Sequence, residues 1–130
     1  MRPMLGLVVD DDRHVRSLFA KVLRGGGMDI LEASSGWEAF FVAETASPAF
    51  VVTDLQMAGL NGLELCRRLR RSRNSRDLLI VVVTGAATTQ RDEAIAAGCD
   101  VVLEKPCSPV LLVTTIQRLL DKRFRSTRTH

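Results

Sequence analysis

The chain has 130 residues, 46% of them hydrophobic and 25% charged, with a formal net charge of +3. That length suits one domain around a single core and is too short for two ordinary ones. No apolar run approaches the roughly 18 residues of a membrane span, and Met1-Arg2-Pro3-Met4 leads to the first strand candidate without the apolar region and cleavage site of a secretory signal.

Leu5-Gly6-Leu7-Val8-Val9 reads as a first strand and runs into Asp10-Asp11-Asp12. Val15, Leu18, Phe19, Val22 and Leu23 then recur at the spacing of one buried helical stripe. Gly25-Gly26-Gly27 ends that helix, because glycine takes the left-handed conformation readily. Met28 to Ala33 predicts a short second strand. Ser35-Gly36-Trp37-Glu38 is a capping-box pattern opening a second helix, which ends before Ser47-Pro48. Phe50-Val51-Val52-Thr53 is the third strand and runs into Asp54. A third helix is predicted from about Asn61, with Glu64 placed for reciprocal capping and Leu65, Cys66 and Leu69 buried.

Leu78 to Val83 predicts the fourth strand, running into Thr84. The fourth helix is expected from Thr88 or Thr89 to Gly98, with Asp92 and Glu93 in its first turns, where acids suit the helix dipole. Val101-Val102-Leu103-Glu104 leads into Lys105-Pro106, a bond type that adopts cis far more readily than others and would then aim the lysine inward. Ser108 as N-cap and Pro109 at the first helical position open the last helix, with the stripe Leu112, Ile116, Leu119 and Leu120. From about Phe124 the chain reads as a frayed polar tail. The domain is therefore placed at 1–122, and a basic tail or the start of a linker at 123–130.

Strict alternation of apolar runs and helical segments predicts a doubly wound α/β domain with a five-stranded parallel sheet and five helices. The third and fourth strands are apolar without alternation, as strands covered on both faces are, and belong in the middle of the sheet. In such sheets the binding crevice lies beyond the carboxyl ends of the strands. Asp10, Asp11, Asp54, Thr84 and Lys105 all occupy those ends.

Carboxylates gathered there repel: two unit charges about 4 Å apart cost roughly 4 kcal/mol at an effective dielectric near 20. A hard divalent cation with oxygen ligands relieves this, and Mg²⁺ suits a shallow site with open positions for water and phosphate. Lys105 adds a fixed positive charge and Thr84 a hydroxyl donor. A carboxylate can attack phosphorus to give an aspartyl phosphate, with cations neutralising charge on the transferring group.

Elsewhere the sequence is blander. Cys66, Cys99 and Cys107 are odd in number and never form a Cys-x-x-Cys pair, so reduced thiols in a cytoplasmic compartment are expected, Cys66 and Cys99 as small core residues. Arg67, Arg68, Arg70, Arg71, Arg73 and Arg76 cluster in the middle, and Lys122, Arg123, Arg125 and Arg128 near the end. With few aromatic residues and no recognition motif, they read as a solvated helix face and a loose tail rather than a nucleic-acid surface. His14 and Trp37 read as exposed helix residues.

Up to about Leu120 the chain resembles the receiver domain of two-component response regulators. The resemblance rests on the Asp10-Asp11 pair, on Asp54 in Asp54-Leu55-Gln56-Met57-Ala58-Gly59-Leu60-Asn61-Gly62, on Thr84 and on Lys105-Pro106. It implies a flavodoxin-like strand order 2-1-3-4-5. It also implies Asp54 as phosphoacceptor, Asp11 and Asp54 as direct ligands of Mg²⁺ or Mn²⁺, the Gln56 carbonyl as a third ligand, and Asp10 as a ligand through water. Thr84 and Lys105 match the family's switch hydroxyl and lysine. The implied partner is a sensor histidine kinase or a histidine phosphotransfer protein, with an unnamed output, and the chain is a signalling phosphoacceptor rather than a metabolic enzyme. A homodimer through the face of the fourth helix, fifth strand and fifth helix is compatible with the resemblance.

Two departures, at Ala58 and Val102, stand out. Ala58 replaces the family's usual proline, which loosens the loop without removing chemistry. Gln56 and Ala86 occupy positions that influence phosphate lifetime in the family. Val102 stands where the family often has Tyr or Phe, a ring that turns inward as the hydroxyl moves towards phosphate, so readout and dimerisation through that face are weakened.

Three alternatives compete. A haloacid-dehalogenase-type phosphatase would use Asp10 as nucleophile and Asp12 as acid, but it needs an acidic pair after the lysine, and the only acid beyond Lys105 is Asp121. A flavodoxin-like cofactor binder would have to place a phosphate against three aspartates. A degenerate receiver serving only protein contacts is disfavoured by the complete set of site residues.

Overall fold

The computed structural model describes residues 4–128; Met1 to Pro3 of the lead-in and Thr129 and His130 of the expected tail lie outside the described residues. Five strands, β1 (Leu5–Val9), β2 (Asp29–Ala33), β3 (Phe50–Thr53), β4 (Leu79–Thr84) and β5 (Val101–Glu104), form one sheet in the order β2-β1-β3-β4-β5. All neighbouring pairs are parallel. They alternate with α1 (Arg13–Gly25), α2 (Gly36–Ala46), α3 (Gly62–Arg71), α4 (Ala87–Ala97) and α5 (Pro109–Arg128). The expected doubly wound architecture is therefore the observed one.

Every residue of β3 and β4 is buried, which accounts for their unbroken apolar sequence. Successive side chains of a strand point to opposite faces. Leu7, Val9, Val51, Ile80 and Val82 accordingly meet Ala39, Ala43, Leu65, Cys66, Leu69 and Ala94 on one side. Val8, Phe50, Val52, Leu79 and Val81 meet Phe19, Leu23, Leu112 and Ile116 on the other. Burial raises the Cys66 thiol to about 12 and the Cys99 thiol to about 11, as expected of core residues rather than reactive ones.

The helix caps follow the local chemistry, with three differences from expectation. Ser35 accepts the Glu38 N–H at 3.2 Å and Asn61 accepts the Glu64 N–H at 3.0 Å. Neither box is reciprocal: the Glu38 carboxylate accepts the Ser34 hydroxyl at 3.3 Å, and that of Glu64 meets Arg67, Arg68 and Arg71. α4 begins at Ala87, earlier than Thr88 or Thr89, because the Thr84 hydroxyl accepts the Ala86 N–H at 3.1 Å and turns the chain into the helix directly after β4. Asp92 and Glu93 consequently lie beyond its first turn. The last helix runs past Lys122 to Arg128 rather than fraying near Phe124. An Asp121–Arg125 pair at 3.0 Å bridges one turn, and Arg123 donates to the Asp77 carbonyl and, at 3.2 Å, to Asp100.

The solvated reading of the arginine cluster also fails at Arg70. Its side chain, 22% exposed, donates to the carbonyls of Gly98 (2.8 Å) and Arg76 (2.9 Å), to the Leu78 carbonyl and to Asp100 (2.8 Å). Asp100 in turn accepts the Ile80 N–H at 2.7 Å. Gly98 ends α4 at φ +115, and a Cβ there would stand 2.6 Å from Arg70 Cγ, so glycine serves both the turn and the close approach. This cluster closes the edge of the sheet opposite the aspartates.

Candidate functional site

The carboxyl ends of β1, β3, β4 and β5 deliver the predicted groups to one edge. Asp10 follows β1 and is almost fully buried; its Oδ1 accepts the Asp12 N–H at 2.9 Å. Its carbonyl takes a 2.7 Å bond from Arg16, whose guanidinium also lies 3.4 Å from Glu32. Arg16, on the first turn of α1, thus ties the acidic loop to β2. Nothing in the spacing singled it out.

Asp54 follows β3 in the same way. Its Oδ1 accepts the N–H groups of Leu55 (2.6 Å) and Gln56 (3.3 Å), which leaves Oδ2 facing the crevice. Gly62 sets the shape of the loop: its N–H donates to the Leu55 carbonyl at 2.9 Å. A Cβ at Gly62 would stand 2.1 Å from the Asp54 carbonyl oxygen and 2.7 Å from Leu55 Cα, so only glycine lets α3 start this close to the aspartate.

Lys105 joins the two acids. Its Nζ donates to Asp10 Oδ2 at 3.1 Å and to Asp54 Oδ2 at 2.9 Å, across most of the sequence. Burial works against the ammonium charge, but the hydrogen bonds and charges of Asp54 and Asp10 outweigh it and hold the lysine above its ordinary pKa. The Lys105–Pro106 bond is cis, and the Lys105 N–H donates to the Thr84 carbonyl at 2.9 Å.

Three predicted residues sit around this core rather than in it. Asp11 and Gln56 are exposed and line a shallow cleft of about 440 Å³ with Leu55, Met57, Ala58 and Asn61. Gln90 of α4 lines the same cleft, with its Oε1 buried and without a hydrogen bond, and no sequence motif marks it. Thr84 is fully buried, its hydroxyl on the Ala86 amide and not on the acids. Asp12 is not a free acid: it caps α1, accepting the N–H groups of His14 (2.9 Å) and Val15 (3.3 Å). His14 is exposed.

The donor chemistry fits an open cation site. No group of three or more His, Cys, Asp or Glu side chains able to enclose a metal occurs among the described residues. What the edge offers is carboxylate oxygen beside a cleft with room for water, the setting Mg²⁺ or Mn²⁺ accepts and a caged metal does not.

Residues 7–117 match the family model described as the response regulator receiver domain. The response regulator MprA of Mycolicibacterium vanbaalenii is 37% identical over 121 residues, covering 92% of this chain and 52% of that protein. The phosphate regulon transcriptional regulatory protein PhoB of Pseudomonas aeruginosa is 30% identical over 117 residues, covering 89% and 51%. The chain thus spans about half the length of the curated relatives it matches. The solved response regulator signal receiver domain from Bermanella marisrubri superposes with a TM-score of 0.82 at 31% identity, over 91% of this chain and 98% of that one.

Proposed function

The chain belongs to the response regulator receiver family, and on that premise we propose that it is a phosphoacceptor charged at Asp54. The observation that carries this reading is the division of labour at Asp54. Two backbone amides hold Oδ1, while Oδ2 faces the crevice on the lysine that also holds Asp10. The substrate is a phosphohistidine on a sensor kinase or phosphotransfer protein.

Asp54 Oδ2 attacks phosphorus in line, the new O–P bond forms as the P–N bond breaks, and a proton goes to the departing imidazole. The amides on Oδ1 fix the carboxylate plane for that approach. Lys105, released from Oδ2 as it becomes the bridging oxygen of the acyl phosphate, swings its charge onto a phosphoryl oxygen and stays tethered by Asp10. Thr84 gives up the Ala86 amide to donate to a second phosphoryl oxygen, which makes the start of α4 sensitive to the phosphate. Asp11, Asp54 and the Gln56 carbonyl, with Asp10 through water, would hold Mg²⁺ or Mn²⁺. Bound there, the ion neutralises charge on the transferring group.

Asp54 is favoured over Asp10 as nucleophile because the Asp10 side chain is the more deeply buried, 5% exposed against 13% for Asp54, and Asp12, the acid a phosphatase would need, is committed to a helix cap. No helix among the described residues is long and apolar enough to cross a membrane. Dimerisation through α4, β5 and α5 would use exposed Ile95, Val110 and Leu111, with Val102 buried beneath and carrying no ring to report the switch.

Acetyl phosphate with Mg²⁺ should add one phosphoryl group by intact mass, removable with hydroxylamine, and Asp54→Asn should abolish it. Labelling that persists in Asp54→Asn and vanishes in Asp10→Asn would move the case to the phosphatase reading.

A further inference from the structure

Away from the crevice, α2 and α3 build a surface the phosphoacceptor chemistry does not use. Trp37 and Phe41 lie one helical turn apart on α2 and are 53% and 66% exposed. Arg68 of α3 stacks over the Trp37 ring, 4.7 Å from its centroid. Beside them Phe40, Glu64, Arg68, Arg71 and Ser72 line a groove of about 310 Å³. On the α3 side Glu64 is the single carboxylate among Arg67, Arg68 and Arg71, meeting them at 3.2–3.5 Å, so that side of the rim keeps a net positive charge, while Glu38 and Glu44 lie on the α2 side. Arg68 Nε is buried and makes no hydrogen bond, meeting Glu64 only as an ion pair at 3.5 Å.

We propose that this α2–α3 face is a docking surface for an acidic amphipathic helix of a partner protein. Exposed tryptophan, phenylalanine and arginine side by side are the residues that carry binding energy at protein interfaces. An apolar helix face fits over Trp37 and Phe41, and acids along its edge meet guanidinium groups that share one carboxylate. A second copy of the chain fits poorly, because a two-fold contact would set these arginines against themselves. Single-stranded nucleic acid needs charge along successive nucleotides, whereas here it is confined to residues 67–71 with Glu64 beside it.

The face also touches the phosphoacceptor loop. A Cβ at Gly59 would stand 4.0 Å from Trp37 Cδ1, and one at Gly36 would meet the Leu60 carbonyl at 2.1 Å, so α2 packs directly on the segment that begins at Asp54.

Trp37 is the chain's single tryptophan, so its emission reads the face directly. The probe is a designed amphipathic helix with Leu and Phe on one side and Glu along the rim, titrated into the unphosphorylated chain, so the outcome does not depend on the chemistry at Asp54. The expected result is a saturable blue shift that weakens with salt and needs about tenfold more peptide in Phe41→Ser and in Arg71→Glu. Both sites are exposed, and circular dichroism confirms that each variant is folded. A Lys-rimmed version of the helix should give no saturable shift. Failure of the Glu-rimmed helix to saturate would overturn the proposal. So would an equal response to the Lys-rimmed helix, tighter binding of oligothymidylate, or self-association that covers Trp37.

Discussion

The two edges of the sheet use the same chemistry to opposite ends. At the carboxyl edge Lys105 lies between Asp10 and Asp54. At the amino edge Arg70 and Arg123 lie on Asp100. Arg70 spends its remaining donors on main-chain carbonyls and Asp100 spends an oxygen on the Ile80 amide, so the hollow of about 590 Å³ over that cluster is lined by groups already paired with one another, which hold α3, β4, β5 and α5 together. At Lys105 only two carboxylates are met, Asp11 stays exposed, and a cleft remains open beside it. An ion pair is therefore no sign of function by itself. What separates the edges is the polar capacity left uncommitted.

The largest effect expected from breaking this contrast is at the closed edge. Arg70→Ala strips the Gly98, Arg76 and Leu78 carbonyls of a donor and leaves Asp100 undercompensated, at a cost of about 2–3 kcal/mol in urea unfolding. The folded fraction should still accept phosphate from acetyl phosphate at the wild-type rate. Gly62→Ala acts at the open edge. It should cost about 1–3 kcal/mol, because the new Cβ cannot be accommodated without moving the backbone, and it should slow phosphorylation of the folded fraction, because the atoms displaced belong to Asp54 and Leu55.

A smaller effect lies in alkaline solution. The Lys105 pKa is raised in the folded chain above its ordinary 10.5. Its stabilising share is therefore fully present below pH 10.5 and is lost as pH climbs through the higher folded value. Unfolding midpoints should fall across that window in the wild type and fall less in Lys105→Met. The smallest expected change is optical: Trp37 emission should shift on phosphorylation, because the ring packs beside Gly59 in the Asp54 loop. An unchanged spectrum at full phosphorylation would confine the response to other faces.

Much of the open edge was legible in the sequence because each feature is local. An apolar run buried on both sides must end where a polar residue leaves the sheet, and Asp10, Asp54, Thr84 and Lys105 sit at those endings. The Ser35 and Asn61 caps were readable for the same reason. The closed edge was not, because Arg70 and Asp100 are 30 residues apart in sequence and an arginine among arginines looks like a solvated helix face. Arg70 lies one helical turn after buried Cys66, on the margin of the buried stripe, and that was the available signal. Glu64 misled because three nearby arginines outcompete the single N–H it was expected to cap. The length of α5 was hidden because its last turns are held by Arg123 on Asp77 and Asp100, contacts that a polar tail does not advertise.

Charge-conserving exchanges at the two lysine and arginine positions test the contrast most directly, with phosphorylation rate and unfolding midpoint read on the same samples. Lys105→Arg keeps the charge and misplaces it. It should stay within about 1 kcal/mol of the wild type yet accept phosphate about tenfold more slowly or worse. Arg70→Lys keeps the charge and loses the fork that reaches several carbonyls. It should lose about 1–2 kcal/mol and accept phosphate at the wild-type rate. Wild-type phosphorylation in Lys105→Arg, or losses of rate that track losses of stability in both variants, would contradict the assignment of one edge to chemistry and the other to the fold.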